Sequence, residues 1–243
     1  AAPLPDFSLY GEIRTERMSK IRHTTAINMA RAWNTIPHVT QNDDADITEL
    51  ETERKRRADQ VAKAGGKLTV TAILTQVAAS ALKKFPKFNS SIDVAARQVI
   101  YKEYIHIGVA VDTERGLLVP VIRDADKKNL TAIAVEIGEL ARKARDKKIG
   151  PDDLAGGTFT ISNLGGLGTT TFSPIVNWPQ VAILGVGRAA LAPRYIDGAF
   201  VPRKILPLSL SYDHRIIDGA DAARFLRWIA EALEQPSLLG MEG

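Results

Sequence analysis

LPLSLSYDHRIIDGA, Leu206 to Ala220, changes character half-way along, and that change separates a strand from a candidate site. Leu206, Leu208 and Leu210 alternate with Pro207, Ser209 and Ser211, the period of two that turns one side of a half-buried strand toward an apolar layer. Tyr212, Asp213, His214 and Arg215 then break the alternation, and Ile216-Ile217 leads into the turn signal Asp218-Gly219. His214 is therefore expected near a strand end, at the edge of an apolar layer. A lone histidine is more often structural than catalytic. Here Asp218 follows beyond the turn, where a carboxylate could fix the loop around the imidazole. A rigid, partly desolvated, neutral imidazole is what a general base near pH 7 requires.

Outward from this stretch, a last helix from about Asp221 buries Phe225, Leu226, Ile229 and Leu233 and ends before Pro236. VAILGVG from Val181, YIDGAFVPRKI from Tyr195 and LPLSLSY read as strands. TFTISNLGGLGTTTF, Thr158 to Phe172, reads as a strand running into a glycine-rich loop. Tyr104 to Arg123 reads as a hairpin turning at Thr113 to Gly116. Ile21, Ala26, Ile27, Ala30 and Trp33 recur at helical spacing between Ser19 and Asn34, and a strand follows from His38 toward Asp46. A second helix begins near Thr48 and is closed by Gly65-Gly66. Thr69 caps a third, with Val70, Ile73, Leu74, Val77, Ala78, Ala81, Leu82 and Phe85 on its buried face. Asn129 caps a fourth, with Leu130, Ile133, Ile137 and Leu140 inside and a basic tail that suits the helix dipole. Helices and strands mix without strict alternation, which predicts an α+β fold around a mixed or antiparallel sheet. Residues 1–18 read as a linker end and an extended arm lying on a neighbouring surface, and 19–243 as one domain.

Composition narrows the chemistry. The 243 residues contain no cysteine, which excludes a disulfide scaffold, a thiolate metal site and a cysteine nucleophile, and suits a reducing compartment. The formal charge is only +4, so a local basic site for an anionic small molecule is favoured over nucleic acid. No membrane span or signal peptide is visible. The opening AAPLP resembles the end of an Ala/Pro linker, so a carboxyl-terminal piece of a longer, modular protein is expected.

Gly165-Gly166-Leu167-Gly168 lacks the spacing of a dinucleotide or phosphate loop, and turn chemistry explains its glycines. Ser162, just before it, is either an ordinary strand serine or a hydroxyl placed to donate to an oxyanion. It is not in a G-x-S-x-G elbow. His23, His38 and His106 show no metal-ligand spacing, so no metal is expected. Glu53-Arg54-Lys55-Arg56-Arg57 is either a solvated helix face or a contact to an anionic cofactor.

Ser211 to Gly219 resembles the signature of the acyltransferase component of 2-oxo acid dehydrogenase complexes, a family related to chloramphenicol acetyltransferase through a shared H-x-x-x-D-G core. Ile36 to Thr40, Gly108 to Asp112 with Gly116 to Val121, Thr158 to Gly165, and Ala182 to Gly187 resemble that family's other blocks, in its order. Asp218 to Phe225, the Asp6 to Glu12 arm and the Asn163 to Thr170 loop look most like the acetyltransferases of pyruvate dehydrogenase complexes. The resemblance implies a chloramphenicol acetyltransferase-like domain with helices packed on a mixed central sheet. It implies acetyl transfer between dihydrolipoamide and coenzyme A, with His214 as general base, Ser162 as oxyanion donor, Asp218 bracing the histidine loop through Arg22, and Arg54 contacting the coenzyme A phosphates. Succinyl or branched-chain acyl transfer and a catalytically silent scaffold are the rival readings. The same resemblance implies a homotrimer with its site between subunits, trimers joined in a hollow polyhedral core, and a lipoyl group on a separate upstream domain. Decarboxylase and dihydrolipoamide dehydrogenase components would be partners, and bacterial cytoplasm the expected location. The apolar tail Pro236 to Met241 is expected to dock on another surface.

Overall fold

Side-chain oxygens of Ser19, Thr69 and Asn129 accept the backbone N–H of Arg22, Ala72 and Ala132, so three helices begin where their capping residues predict. The computed structural model describes residues 3–114 and 116–235. In chain order its elements are α1 (Lys20–Thr35), β1 (His38–Asp46), α2 (Thr48–Lys63), α3 (Val70–Lys84), β2 (Ser90–Asp93), β3 (Gln98–Tyr101), β4 (Ile107–Val109), β5 (Val121–Ile122), α4 (Leu130–Arg145), α5 (Pro151–Leu154), β6 (Phe159–Asn163), β7 (Ala182–Val186), β8 (Ala190–Ile196), β9 (Ala199–Asp213) and α6 (Gly219–Glu234). The main sheet has the order β1-β9-β7-β6-β4-β5, with β8 also on β9. It is mixed: β4, β6 and β7 are parallel, and the other pairs antiparallel. The α+β expectation holds. The tail from Pro236 lies outside the described residues.

Strand β9 is the spine. Pairing with β8 carries the strand upstream of Leu206, so the segments read as two strands form one of 15 residues. One edge pairs with β1 throughout Ile205–Asp213, while the other pairs first with β8 and then with β7. Pro207 sits where the second partner changes, after the last β8 pair at Ile205 and before the first β7 pair at Leu208. There a missing N–H costs little. YIDGAFVPRKI is not one strand. Asp197 and Gly198 both have positive φ, 50° and 86°, and form the two-residue hairpin turn between β8 and β9. The β2–β3 hairpin has no counterpart among the sequence expectations.

Leu206, Leu208, Leu210 and Tyr212 face the helices and are fully or almost fully buried. Against them lies Phe225 of α6, which stacks on Phe88 at 3.9 Å between ring centroids and also meets Phe85 and Phe159. The opposite face of β9 carries Ser209 and Ser211, also buried, with Ser211 Oγ 2.7 Å from Thr40 Oγ1. Helix α1 differs from the other long helices. Only Ala32 is buried, while Ile27 and Trp33 of its expected apolar stripe are 48% and 64% exposed. Residues 3–18 are exposed throughout. Ile27 of α1 and the apolar side chains of residues 3–18 stay exposed in the single chain.

Candidate active site

His214 is presented by a pinned turn. Strand β9 ends at Asp213, whose backbone carbonyl accepts the N–H of both Ile216 (3.2 Å) and Ile217 (3.0 Å). The N–H of His214 donates to the Pro37 carbonyl at 3.1 Å, tying the turn to the α1–β1 junction. Asp213 is 1% exposed and takes the Arg215 guanidinium through Nε (2.9 and 3.2 Å) and Nη2 (2.6 Å), together with the Arg215 N–H (3.0 Å). This bidentate pair spans the histidine from both sides and raises the Arg215 pKa by hydrogen bonding to Asp213. The imidazole lies near the Tyr212 ring, 5.9 Å between centroids. It makes no hydrogen bond among the described residues, and the residue is exposed. The partial desolvation expected of a base is therefore missing in the single chain.

Ser162 lies on the sheet face opposite the helices, 8% exposed, in register with Gly185 of β7 and through it with Ser209 of β9. Its hydroxyl forms no hydrogen bond among the described residues, so its proton is uncommitted. Counting along β9 and across two strand spacings, Ser162 and His214 stand roughly 19 Å apart. One chain cannot place both on one carbonyl.

Arg22 and Arg54 have other neighbours within the chain. Arg22 does not pair with Asp218 within the chain. Helix α1 touches the histidine turn only at its carboxyl end, near Pro37, and Arg22 is one helix length away, roughly 21 Å. Its Nη2 lies instead beside Gly116 of the β4–β5 hairpin. The cation near Asp218 is Lys87, which binds Asp221 at 2.5 Å and whose raised pKa comes first from that bond and also from the charge of Asp218. Arg54, in turn, is not a free cation. Its Nε and Nη2 bind Glu51 at 2.7 and 3.2 Å, and Nη1 donates to the Leu68 carbonyl at 3.1 Å. The remaining N–H groups are available to an outside anion.

Sequence reasoning missed the Asp213–Arg215 clamp and the role of His38. The signal for the clamp was opposite charges flanking His214. His38 Nδ1 is 2.9 Å from the Ile36 carbonyl, and its Nε2 accepts the Val176 N–H at 3.0 Å, which fixes the proton on Nδ1. Its ring stacks on Trp33 at 5.5 Å. That histidine braces the loop beneath the site. Among the described residues no cluster of three or more His, Asp or Glu is arranged to hold a metal.

The profile of the 2-oxoacid dehydrogenases acyltransferase (catalytic domain) family matches residues 10–241. The chain belongs to that family. The dihydrolipoyllysine-residue acetyltransferase component of the Pseudomonas aeruginosa pyruvate dehydrogenase complex is 51% identical over 233 residues, which are 95% of this chain and 43% of that relative. This acyltransferase domain thus spans less than half the length of that protein. Among solved structures, Azotobacter vinelandii dihydrolipoamide acetyltransferase is 49% identical, with a TM-score of 0.95 over 98% of each chain. That structure served a study of a serine, a histidine and an asparagine in the catalytic mechanism. The same intervals separate Ser162, His214 and Asp218, with aspartate where that enzyme has asparagine. The cubic core of a pyruvate dehydrogenase multienzyme complex is 50% identical, also at 0.95 over 98% of each chain. Chloramphenicol acetyltransferase, 16% identical over 85% of this chain and 94% of its own with a TM-score of 0.51, shares the fold alone.

Proposed function

We propose that this acyltransferase domain moves an acetyl group between the thiols of dihydrolipoamide and coenzyme A, in sites built between copies of the chain. The observation that carries the reading is His214: its backbone is fixed on both sides by the Asp213–Arg215 clamp and the Pro37 carbonyl, yet its ring is unbonded and open. Such a ring is held ready to take a proton from something outside its own chain.

A thiol of pKa about 8.5 is only a few per cent thiolate at pH 7. His214 removes its proton as it attacks the thioester carbon, and returns that proton to the leaving thiol. The developing oxyanion takes the free hydroxyl of Ser162 from a second copy. One such donor is worth about 10²-fold to 10³-fold in rate. With no cysteine in the chain, transfer is direct, in a ternary complex. Asp218 keeps the turn in shape at the start of α6, with Lys87 as the neighbouring cation. Arg54, preset by Glu51, offers its remaining N–H groups to the coenzyme A phosphates.

The exposed arm and α1 supply apolar surface for a homotrimer, and the likeness to a cubic core supports trimers joined in a hollow polyhedron. The lipoyl group arrives on a separate domain, and the decarboxylase and dihydrolipoamide dehydrogenase components complete the complex in bacterial cytoplasm. No described helix is long and apolar enough to cross a membrane.

Initial rates from acetyl-, succinyl- and isobutyryl-coenzyme A to dihydrolipoamide test the reaction. Acetyl should be fastest, and no transfer from any donor would leave only a scaffold. His214→Ala should lose several orders of magnitude in turnover with coenzyme A affinity nearly unchanged, and Ser162→Ala about 10²-fold to 10³-fold. Refolding those two inactive proteins together should restore about a quarter of the sites if histidine and serine come from different copies. No recovery would place both in one chain and refute the shared site.

A further inference from the structure

Lys102, in the bend between β3 and β4, is held where a lysine has little to gain. Asn89, 3% exposed, donates from Nδ2 to the carbonyls of Lys102 and Tyr104 at 2.7 and 3.0 Å, and its own carbonyl accepts the Lys102 N–H at 3.1 Å. The backbone is thereby fixed on both sides. The half-buried side chain donates from Nζ to Ser91 Oγ at 2.6 Å, and that hydroxyl donates onward to the Pro179 carbonyl at 2.5 Å. Lys87 and Lys128 are also partly buried, and each holds a carboxylate. Lys102 forms no ion pair among the described residues. Burial without a counter-charge pushes its pKa down to about 8.

The location matters as much as the solvation. Pro179 lies two residues before Val181, whose carbonyl accepts the N–H of Asp213. The lysine thus stands beside the segment that flanks the end of β9, the strand that leads into His214. Resting on the acetyl-transfer reading, we propose that Lys102 is a self-acetylation site. Its neutral amine attacks the carbonyl carbon of an acetyl thioester, an amide C–N bond forms, the C–S bond breaks, and the departing thiolate takes the proton released by the nitrogen. The products are acetyl-lysine and free thiol, with no further reactant needed. The charge at Lys102 is lost, and with it all but one of the N–H donors on Nζ.

At pH 7.5 an amine of pKa about 8 is neutral in roughly a quarter of molecules, against about one in a thousand at the ordinary 10.4. Lower basicity and enclosure reduce that advantage, leaving an expected gain of about tenfold. The test incubates the assembled protein with acetyl-coenzyme A at pH 7.5, follows acetylated peptides by mass spectrometry, and measures transfer to dihydrolipoamide on the same preparation. Lys102 should acquire acetyl about tenfold faster than the exposed Lys55 and Lys67, and Lys102→Arg should remove that label alone. Labelling of Lys102 no faster than of those two overturns the proposal. Transfer without Lys102 labelling sinks only the modification; Lys102 labelling without transfer sinks only the acetyl-transfer reading.

Discussion

Arg215→Ala isolates the clamp that holds the histidine turn. Asp213 is 1% exposed and accepts from Arg215 through Nε, Nη2 and the backbone N–H. After truncation only the backbone donor remains, and a buried carboxylate faces the end of β9 without a cation. Breaking a buried ion pair from one side costs about 3–5 kcal/mol. The guanidinium keeps 27% of its side-chain exposure, so water reaches the vacated position and the lower end, about 3 kcal/mol, is expected. In a chain of this size each kcal/mol moves the melting temperature by about 2–4 °C, giving a fall of about 6–12 °C. Arg215→Lys keeps the charge but not the planar fork and should lie between. Asp213→Asn with Arg215→Met removes both charges and should recover part of the loss. Differential scanning calorimetry gives the melting temperatures, and acetyl transfer to dihydrolipoamide reports on the histidine. The Arg215→Ala protein should lose turnover beyond its loss of folded fraction. If it melts within about 2 °C of the parent and keeps its rate, the clamp does not hold the turn.

Four further outcomes follow from the packing and charge pattern. Glu51, whose carboxyl is held at about 2 first by Arg54 and also by Lys204, binds fewer protons when folded than when unfolded; its contribution is full above the usual carboxylate range near 4.5 and should fade as pH falls from there through about 2. Urea titrations across that window should show a loss of about 2–3 kcal/mol that is absent in Glu51→Gln. Phe225→Ala removes the ring stacked on Phe88 and should cost about 3–5 kcal/mol by denaturant titration. Gly187→Ala should fail to give folded protein, because its Cβ would lie 1.6 Å from the Thr170 carbonyl oxygen, a backbone atom; a normal circular dichroism spectrum and melting temperature would contradict this. Asp218→Ala should slow transfer by roughly tenfold while Asp218→Asn stays within a few-fold, and equal losses would make charge, not the shape of the turn, the contribution of that residue.

Periodicity and punctuation made most elements legible, because they are local. The caps at Thr69 and Asn129, the Gly65-Gly66 close of the second helix and the alternation of Leu206 to Leu210 each depend on neighbours within one turn or pleat. What escaped was set at long range. YIDGAFVPRKI and LPLSLSY read as separate strands, yet β9 runs through Pro202 and Pro207, since one stands opposite Pro193 in the β8 pair and the other where partners change. The β2–β3 hairpin carries no clean alternation, and Asn89 defines it by reaching across to Lys102. The pairing of Arg22 with Asp218 rests on a resemblance alone, and no local pattern sets the direction of α1. Glu51 and Arg54 lie one helical turn apart, so the competition for Arg54 was readable in ELETER, but the Leu68 carbonyl that completes its cage was not.

The candidate site itself was legible in kind but not in place. Ser162 and His214 both stand out by residue type at strand ends, and the sheet order separates them: β6 reaches β9 only through β7, and His214 extends beyond the last β7 pair at Tyr212. The two groups suit one reaction and cannot meet within one chain. Three other observations have the same resolution. An arm and one side of a helix leave apolar residues in water, a histidine is fixed by its backbone but not by its ring, and a serine hydroxyl keeps its proton uncommitted. Each is costly or idle in a monomer. A second copy that covers α1 would desolvate His214 and could bring its own Ser162 to the ring. On the proposed shared site, a variant confined to the exposed side of α1, such as Ile27→Arg, should lower transfer and oligomeric mass together while leaving the circular dichroism spectrum unchanged.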